Sequence, residues 1–83
     1  MKLLYFASLR DRLGVAEEEV SPPPEISDVA GLVAWLRQRG GNFEAALEDM
    51  SAVRVAVNQE HVGFDHAVAA GDEIALFPPV TGG

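Results

Sequence analysis

The residues with the clearest chemical potential are the last seven, Phe77-Pro78-Pro79-Val80-Thr81-Gly82-Gly83. Glycine has no side chain, so Gly82 and Gly83 can enter a cleft too narrow for other residues. The prolines fix φ and lack an N–H, so a strand cannot continue through them as an ordinary ladder. We therefore predict a body of residues 1–76 and an extended tail of residues 77–83, which spans roughly 20 Å and presents the Gly83 carboxylate. A frayed terminus is the alternative.

The rest of the sequence contains no pattern typical of a self-contained active site. It has no cysteine, so it lacks a thiolate nucleophile, a disulfide and a cysteine-ligated metal. His61 and His66 are not spaced with carboxylates as metal ligands would be, and no metal site is predicted. No serine lies in a nucleophile elbow and no glycine-rich loop resembles a phosphate-binding loop. The evident reacting group is thus the carboxylate of Gly83.

That carboxylate would need activation, because a carboxylate is a poor electrophile. Conversion to an acyl-adenylate supplies a good leaving group, AMP. A sulfur donor could then displace AMP and leave a thiocarboxylate, or a lysine amine could attack and form an isopeptide. Both reactions would use the narrow Gly-Gly end.

Composition limits the partners and the location. Thirteen acidic residues against six basic ones give a net charge of −7, which disfavours binding to nucleic acids and to anionic membranes. A partner with a basic face would be attracted, although acidity could serve solubility alone. No apolar run approaches the roughly 20 residues that span a bilayer. Together with the absence of cysteine, this favours a cytoplasmic location.

The 83 residues should form one domain that consists of strands and one main helix. That helix shows an apolar stripe with i, i+3, i+4, i+7 spacing. We predict Ser27 as its N-cap, Gly40-Gly41 as its end and Asn42 as the cap of a shorter helix. The predicted elements are a strand at 3–7, a helical turn at 9–13 ended by Gly14, an edge strand at 15–21, the stripe of Val29, Leu32, Val33 and Leu36, the short helix, and strands at 53–57, 61–62 and 73–77.

This order predicts an α+β fold of the β-grasp (ubiquitin-like) type, a mixed sheet of about four to five strands with the helix across one face. The first and last strands should be adjacent and parallel at the centre. Alternation then places Ile74 and Leu76 towards the helix, and Ala56, Ala75 and Phe77 on the uncovered face. These three residues would form a docking patch beside the tail. The alternative is that Phe77 folds over a sheet edge as core.

The sequence resembles the small, sulfur-carrying subunit of molybdopterin synthase, the MoaD family. The resemblance is carried by Val57-Asn58-Gln59, Asp65-His66, Gly71-Asp72-Glu73 and the complete Phe-Pro-Pro-Val-Thr-Gly-Gly end. Tyr5-Phe6-Ala7, Leu9-Arg10 and Gly14 also look like the opening of that family, whereas residues 22–50 match only in pattern.

The resemblance implies a sulfur carrier. An E1-like enzyme would adenylate Gly83 with ATP, giving a transient AMP adduct and then a thiocarboxylate, with no cofactor held stably by this chain. The tail, including Pro78, Pro79, Val80, Thr81 and Gly82, would enter the large synthase subunit and deliver sulfur to a cyclic pyranopterin. A sulfur donor protein is a further implied partner. Two carriers on a large-subunit dimer would form a heterotetramer, in which the large subunits would supply the catalytic side chains.

Three other functions remain open at this point. A thiamine-pathway sulfur carrier of the ThiS type shares the fold and the Gly-Gly end but usually lacks Phe-Pro-Pro before it. A ubiquitin-related modifier would form isopeptides, although self-linked chains are disfavoured because Lys2 is the sole lysine. A plain interaction domain would need no activated end.

Overall fold

The computed structural model describes residues 1–79. Five strands and three α-helices, with one 3₁₀ turn, make up this part of the chain. In chain order they are β1 Lys2–Tyr5, α1 Ala7–Leu13, β2 Glu17–Glu19, α2 Val29–Arg37, α3 Gly41–Ala46, the 3₁₀ turn Met50–Ala52, β3 Arg54–Val57, β4 Glu60–Val62 and β5 Glu73–Phe77.

The strands form one mixed sheet in the order β2-β1-β5-β3-β4. β1 and β5 pair in parallel, while β2 on β1, β3 on β5 and β4 on β3 are antiparallel. The predicted adjacency of the first and last strands is therefore confirmed, as is the β-grasp fold. β5 lies at the centre of the sheet, between β1 and β3. Phe77, the first residue of the predicted tail, is the last residue of this central strand.

Helix α2 covers one face of the sheet through its predicted apolar stripe. Val29, Leu32, Val33 and Leu36 are all fully buried. They belong to the same core as the inward-facing strand residues Leu3, Tyr5, Val55, Val57, Ile74 and Leu76. Burial of each such aliphatic side chain contributes about 1.5–3 kcal/mol before the entropy cost of folding. The described part of the chain contains no helix long and apolar enough to cross a membrane.

The predicted helix caps are wrong by one or two residues. Asp28, and not Ser27, caps α2, since its Oδ1 accepts the Gly31 N–H at 2.8 Å. The cause is a tertiary contact: a β-bridge between Asp28 and Ala67 holds Asp28 in the extended conformation that a cap requires. The Ser27 carbonyl accepts the backbone N–H of Val68 instead.

The double glycine separates two helices instead of simply ending one. α2 ends at Arg37, and Gly40, with φ of +72°, is the N-terminal flanking residue of α3. Its carbonyl accepts the N–H groups of Phe43 and Glu44. The predicted cap Asn42 lies inside α3, whose first residue is Gly41. Ala46 and Leu47 are buried.

Glu18 connects the edge strand β2 to the segment between α2 and α3. The Glu18 carboxylate accepts the Tyr5 hydroxyl at 2.7 Å and Arg39 Nη1 at 2.8 and 3.0 Å. The guanidinium also lies 4.7 Å from the ring centroid of Phe43. Burial alone would raise the pKa of Glu18, but the hydrogen bonds from Arg39 and Tyr5 outweigh it and lower that pKa. Burial, followed by the hydrogen bond to Glu18, raises the pKa of Tyr5.

A two-residue turn joins β3 to β4 and is tied to the start of β5. Asn58 and Gln59 have φ of +51° and +70°, the positive pair that a type I′ hairpin turn requires. Asn58 also donates to Asp72 Oδ1 at 3.1 Å and accepts the Glu73 N–H at 3.0 Å. The Ala69 N–H and the Asn58 amide lower the pKa of Asp72. Several residues that carry the sequence resemblance thus have a structural role.

Candidate functional site: the open sheet face and the carrier tail

The sheet face opposite α2, here called the open face, has one row of residues that crosses all five strands. In strand order the row is Glu17, Leu4, Ala75, Ala56 and His61. Directly paired residues in a sheet point to the same side. The predicted residues Ala56 and Ala75 are therefore neighbours on this face.

Phe77 lies on the same face, two residues beyond Ala75. Its register partner on β3 is Arg54. The Phe77 side chain is half-buried and lies outside the buried core cluster. Its ring centroid is 5.2 Å from that of His61 on β4, with the rings tilted by 50°. Phe77 is therefore placed on the open face and not among the core residues under α2.

Ala56 lies on the open face but offers a partner little accessible surface, since it is only 6% exposed. The reason is the contact above it. β3 lies between β5 and β4, so the rings of Phe77 and His61 meet across β3, next to the small Ala56 side chain. The sequence prediction that Ala56 forms part of an exposed patch is wrong in this respect. Ala56 leaves space for the two rings.

Phe6 is a surface residue of this region that the sequence reasoning missed. Among residues 1–79, Phe6 is the one large hydrophobic residue that is exposed, with 46% of its surface accessible to solvent. Its backbone N–H donates to the Leu76 carbonyl at 3.1 Å, which places it beside the end of β5. Ala7 follows with φ of +53°, where β1 gives way to α1. The signal was its shared parity with Leu4, which should have indicated the open face.

The tail begins directly at this surface. Pro78 and Pro79, both partly buried, follow β5 without strand structure, as expected for residues that cannot donate to a ladder. Val80, Thr81, Gly82 and Gly83 lie outside the described residues. Their roles in partner binding and sulfur transfer, and the predicted boundary between residues 76 and 77, stay predictions.

Charges surround the apolar part of the open face on both sides. On the β2 side, Lys2 Nζ lies 3.3 Å from Glu17 Oε2, and both side chains are more than half exposed. On the β3 side, Arg54 Nη1 donates to the carbonyls of Ser51 and Val53 at 3.2 Å. An exposed ion pair such as that between Lys2 and Glu17 contributes about 0–1 kcal/mol to stability. These charged side chains remain available to a charged partner.

Within residues 1–79, no cluster of three or more histidine, cysteine, aspartate or glutamate side chains is arranged to hold a metal ion. The two histidines have different partners: the His61 ring contacts the Phe77 ring, whereas His66 Nδ1 lies 2.7 Å from the Ala67 carbonyl oxygen. The geometry supports a docking surface next to a reactive tail.

A pocket of about 420 Å³ opens at the other end of the molecule, near the beginning of β1. Because β1 and β5 are parallel, this is the end opposite to Phe77. Its lining has no charged side chain and consists of Met1, Val20, Ser21, the three prolines 22–24, Ile26, Ser27, Val68, Ala69 and Ala70.

Comparison with known proteins identifies the group to which this chain is related. The sequence profile of the ThiS family matches residues 3–83. The chain belongs to the ThiS family. The match covers almost the whole sequence and includes the Gly-Gly end, so this ThiS family member contains the segment that the sequence reasoning singled out.

Two curated relatives have the same name. The chain is 40% identical over 83 residues to the molybdopterin synthase sulfur carrier subunit of Escherichia coli, covering 100% of this chain and 99% of that protein. It is 36% identical over 83 residues to the molybdopterin synthase sulfur carrier subunit of Haemophilus influenzae, with the same coverage of both. The resemblance stated from the sequence is confirmed.

Solved structures share the fold. The crystal structure of SAMP1 from Haloferax volcanii matches with a TM-score of 0.75 and 30% identity, and covers 100% of this chain and 98% of that chain. This ThiS family member and SAMP1 therefore share one fold over nearly the full length of both chains.

Proposed function

We propose that this chain is the sulfur carrier subunit of a molybdopterin synthase and that Gly83 carries the sulfur as a thiocarboxylate. The observation that carries the proposal is the full-length similarity to relatives of that name, at 40% and 36% identity. Phe77 to Gly83 lie inside the region matched by the family profile.

The chemistry proposed at Gly83 proceeds in three steps. The carboxylate oxygen attacks the α-phosphorus of ATP, so that an acyl-adenylate forms and pyrophosphate leaves. A persulfide of the sulfur donor protein then attacks the acyl carbon and AMP leaves, which gives an acyl disulfide. A thiol attacks the donor-side sulfur of that disulfide, so that the S–S bond breaks, the end leaves as a thiocarboxylate and the donor is left as a disulfide with the thiol. No step requires an acid, base or metal from this chain, and the described residues supply no metal cluster. The catalytic groups would belong to the partners.

Three partners follow from this chemistry. An E1-like adenylating enzyme supplies the ATP site, a sulfur donor protein supplies sulfur, and a large synthase subunit receives the tail. In the large subunit the thiocarboxylate would deliver sulfur to a cyclic pyranopterin, with two carriers on a large-subunit dimer as a heterotetramer. We place these reactions in the cytoplasm.

The structure supports a carrier whose tail starts from a rigid base. Phe77 ends the central strand β5, which is paired with β1 on one side and β3 on the other. Phe6, Ala75 and Phe77 give the partner an apolar surface at the same end of the sheet. A net charge of −7 complements a partner with a basic face.

Reconstitution with purified components tests the proposal. The thiocarboxylated chain, mixed with a large subunit and a cyclic pyranopterin, should yield the dithiolene product in proportion to the carrier added. The same chain with an ordinary carboxylate should yield none. Equal product from both forms, or no product from either, would contradict the proposal. Activity with a thiazole-forming enzyme of the thiamine pathway in its place would assign the chain to that pathway.

A protein modifier is the second candidate function, favoured by the 30% identity to SAMP1 over the whole chain. In that case a lysine amine of another protein would attack the activated Gly83 and form an isopeptide. Mass spectrometry of tryptic digests from the native cell would then show lysines joined by an isopeptide to the C-terminal fragment of residues 55–83, because Arg54 is the last site at which trypsin cleaves this chain. Their absence while the thiocarboxylate is present would exclude this use.

A further inference from the structure

The contact between His61 and Phe77 joins the outermost strand to the base of the tail. Their ring centroids lie 5.2 Å apart, a separation typical of interacting aromatic rings. His61 is directly opposite Ala56, and Phe77 lies diagonally from Ala56 on the other side of β3. The two side chains thus reach towards each other across a whole strand, which only a small residue on that strand allows.

The strand that carries His61 is itself firmly placed. β4 is paired to β3 through three residues and follows the turn at Asn58 and Gln59. The Asn58 side chain is hydrogen-bonded to Asp72 and to the Glu73 backbone at the start of β5. The position of His61 relative to β5 is therefore fixed by a separate set of hydrogen bonds at the far end of the strand.

We propose that His61 is a positioning residue for sulfur transfer: its ring holds the Phe77 ring against the open face and so sets the direction in which the chain leaves β5. The proposal rests on the proposed sulfur-carrier function. Phe77 is the last residue before Pro78, whose ring fixes φ. Because φ of Pro78 is fixed, a change in the position of Phe77 would change the direction of the residues that follow it. Without His61, the Phe77 ring would have as neighbours on β3 and β5 the small residues Ala56 and Ala75 and the long, flexible side chain of Arg54, none of which would hold it in one rotamer.

Three variants separate this role from simple surface contact. His61→Ala removes the ring, His61→Phe keeps a ring of similar size without its nitrogens, and His66→Ala is the matched control. His66 is exposed and bonded within its own loop. Neither position lies in the hydrophobic core, so all three variants should fold, as thermal unfolding will verify.

The first measurement is the rate of sulfur delivery at saturating large subunit, with the affinity measured separately. His61→Ala should slow delivery by roughly 3- to 10-fold, since small misplacements of a reacting group have large effects on rate. His61→Phe should stay within about twofold of the wild type, and His66→Ala should be unchanged. Adding His61→Ala to a Phe77→Ala chain should cause no further loss, because both act through one contact.

The second measurement does not depend on sulfur chemistry. In the free protein, NMR should show cross-relaxation between the His61 and Phe77 rings, and the Phe77 ring signals should move towards their unstructured values in His61→Ala. An unchanged Phe77 ring in that variant, an unchanged delivery rate, or a loss of affinity alone would each overturn the proposal. If the wild type gains no sulfur, the proposed function fails, and the Phe77 ring signals then decide the positioning role.

Discussion

Phe77 occupies the position where the central strand ends and the two prolines begin. It is half-buried on the open face, and its ring has the His61 ring as a neighbour. An aromatic side chain in this position gives a partner both apolar area and a rigid shape. Its contribution should therefore appear in binding and not in folding.

Replacing Phe77 by Asp should weaken binding to the large subunit by about tenfold or more, as expected for an aromatic anchor in an interface. Isothermal titration calorimetry measures the affinity, and circular dichroism checks the fold. Gln38→Asp is the control, because Gln38 is exposed at the end of α2 and also gains a negative charge. An unfolded Phe77→Asp protein would show that Phe77 is core.

Glu18 should make stability depend on pH in the acid range. Its folded-state pKa lies below the ordinary glutamate value because Arg39 and Tyr5 donate to its carboxylate. The unfolded chain therefore takes up a proton first as the pH falls. The stabilisation is complete above the unfolded pKa of about 4.3 and is lost as the pH falls through the lowered pKa.

Glu18→Gln should accordingly reduce the free energy of unfolding at pH 7 by about 0.5–1 kcal/mol, as for other partly exposed ion pairs. Glu44→Gln, an exposed residue of α3, is the control. Urea unfolding at pH 7 and at pH 3 measures both. A difference between wild type and Glu18→Gln that persists unchanged at pH 3 would disprove the electrostatic explanation.

For single residues, the sequence correctly predicted which face of the sheet each side chain lies on, but it did not predict which side chains touch. Alternation placed Ala56, Ala75 and Phe77 on one side of the sheet, and the register confirms it. Alternation contains no information on which side chain reaches across a strand. The burial of Ala56 beside His61 and Phe77 therefore became visible only in the assembled sheet.

Among the elements, the β3–β4 turn has a double role. It reverses the chain with two positive φ angles, and Asn58 fastens it to the start of β5. Asparagine tolerates this conformation, whereas a β-branched residue does not.

Asn58→Val should reduce the free energy of unfolding by about 1–3 kcal/mol, because it introduces backbone strain and removes the side-chain hydrogen bonds. Gln59→Gly is the matched control in the same turn, where glycine tolerates the positive φ. It should change stability by less than about 1 kcal/mol. Chemical unfolding monitored by Trp35 fluorescence gives both values. Equal loss in the two variants would contradict the role assigned to the Asn58 side chain.

The positions of helices and strands were predictable where one local sequence pattern dominates. They were not predictable where tertiary contacts determine the end of an element. The stripe from Val29 to Leu36 and the limits of β5 agree with the structure. The caps do not, because the bridge between Asp28 and Ala67 selects Asp28 over the neighbouring Ser27. In the same way, Gly40 is the N-cap of α3, although a glycine after an apolar stripe more often ends a helix.

For the whole molecule, charge should control the speed of association. The net charge of −7 should steer the chain towards a basic partner surface. The association rate constant with the large subunit should therefore fall about tenfold or more between low and high salt, while the dissociation rate changes little. Stopped-flow fluorescence measures both. A salt-independent association rate would show that the acidic surface has no part in recognition.

Fold alone does not decide the function of a molecule of this kind, because one fold serves many functions. The β-grasp architecture followed from element order, whereas the sulfur-carrier function came from the resemblance of the tail and was supported by full-length relatives. The open face and the central position of β5 explain how such a tail can be presented.

The most direct test of the account is the intact mass of the chain after incubation with its activating enzyme, ATP and a sulfur donor. We predict a gain equal to the replacement of one oxygen by one sulfur, located at Gly83 by fragmentation. A chain lacking Gly83 should gain nothing, although its thermal unfolding should match that of the wild type. An unchanged mass in the wild type, or sulfur at any other residue, would contradict the account.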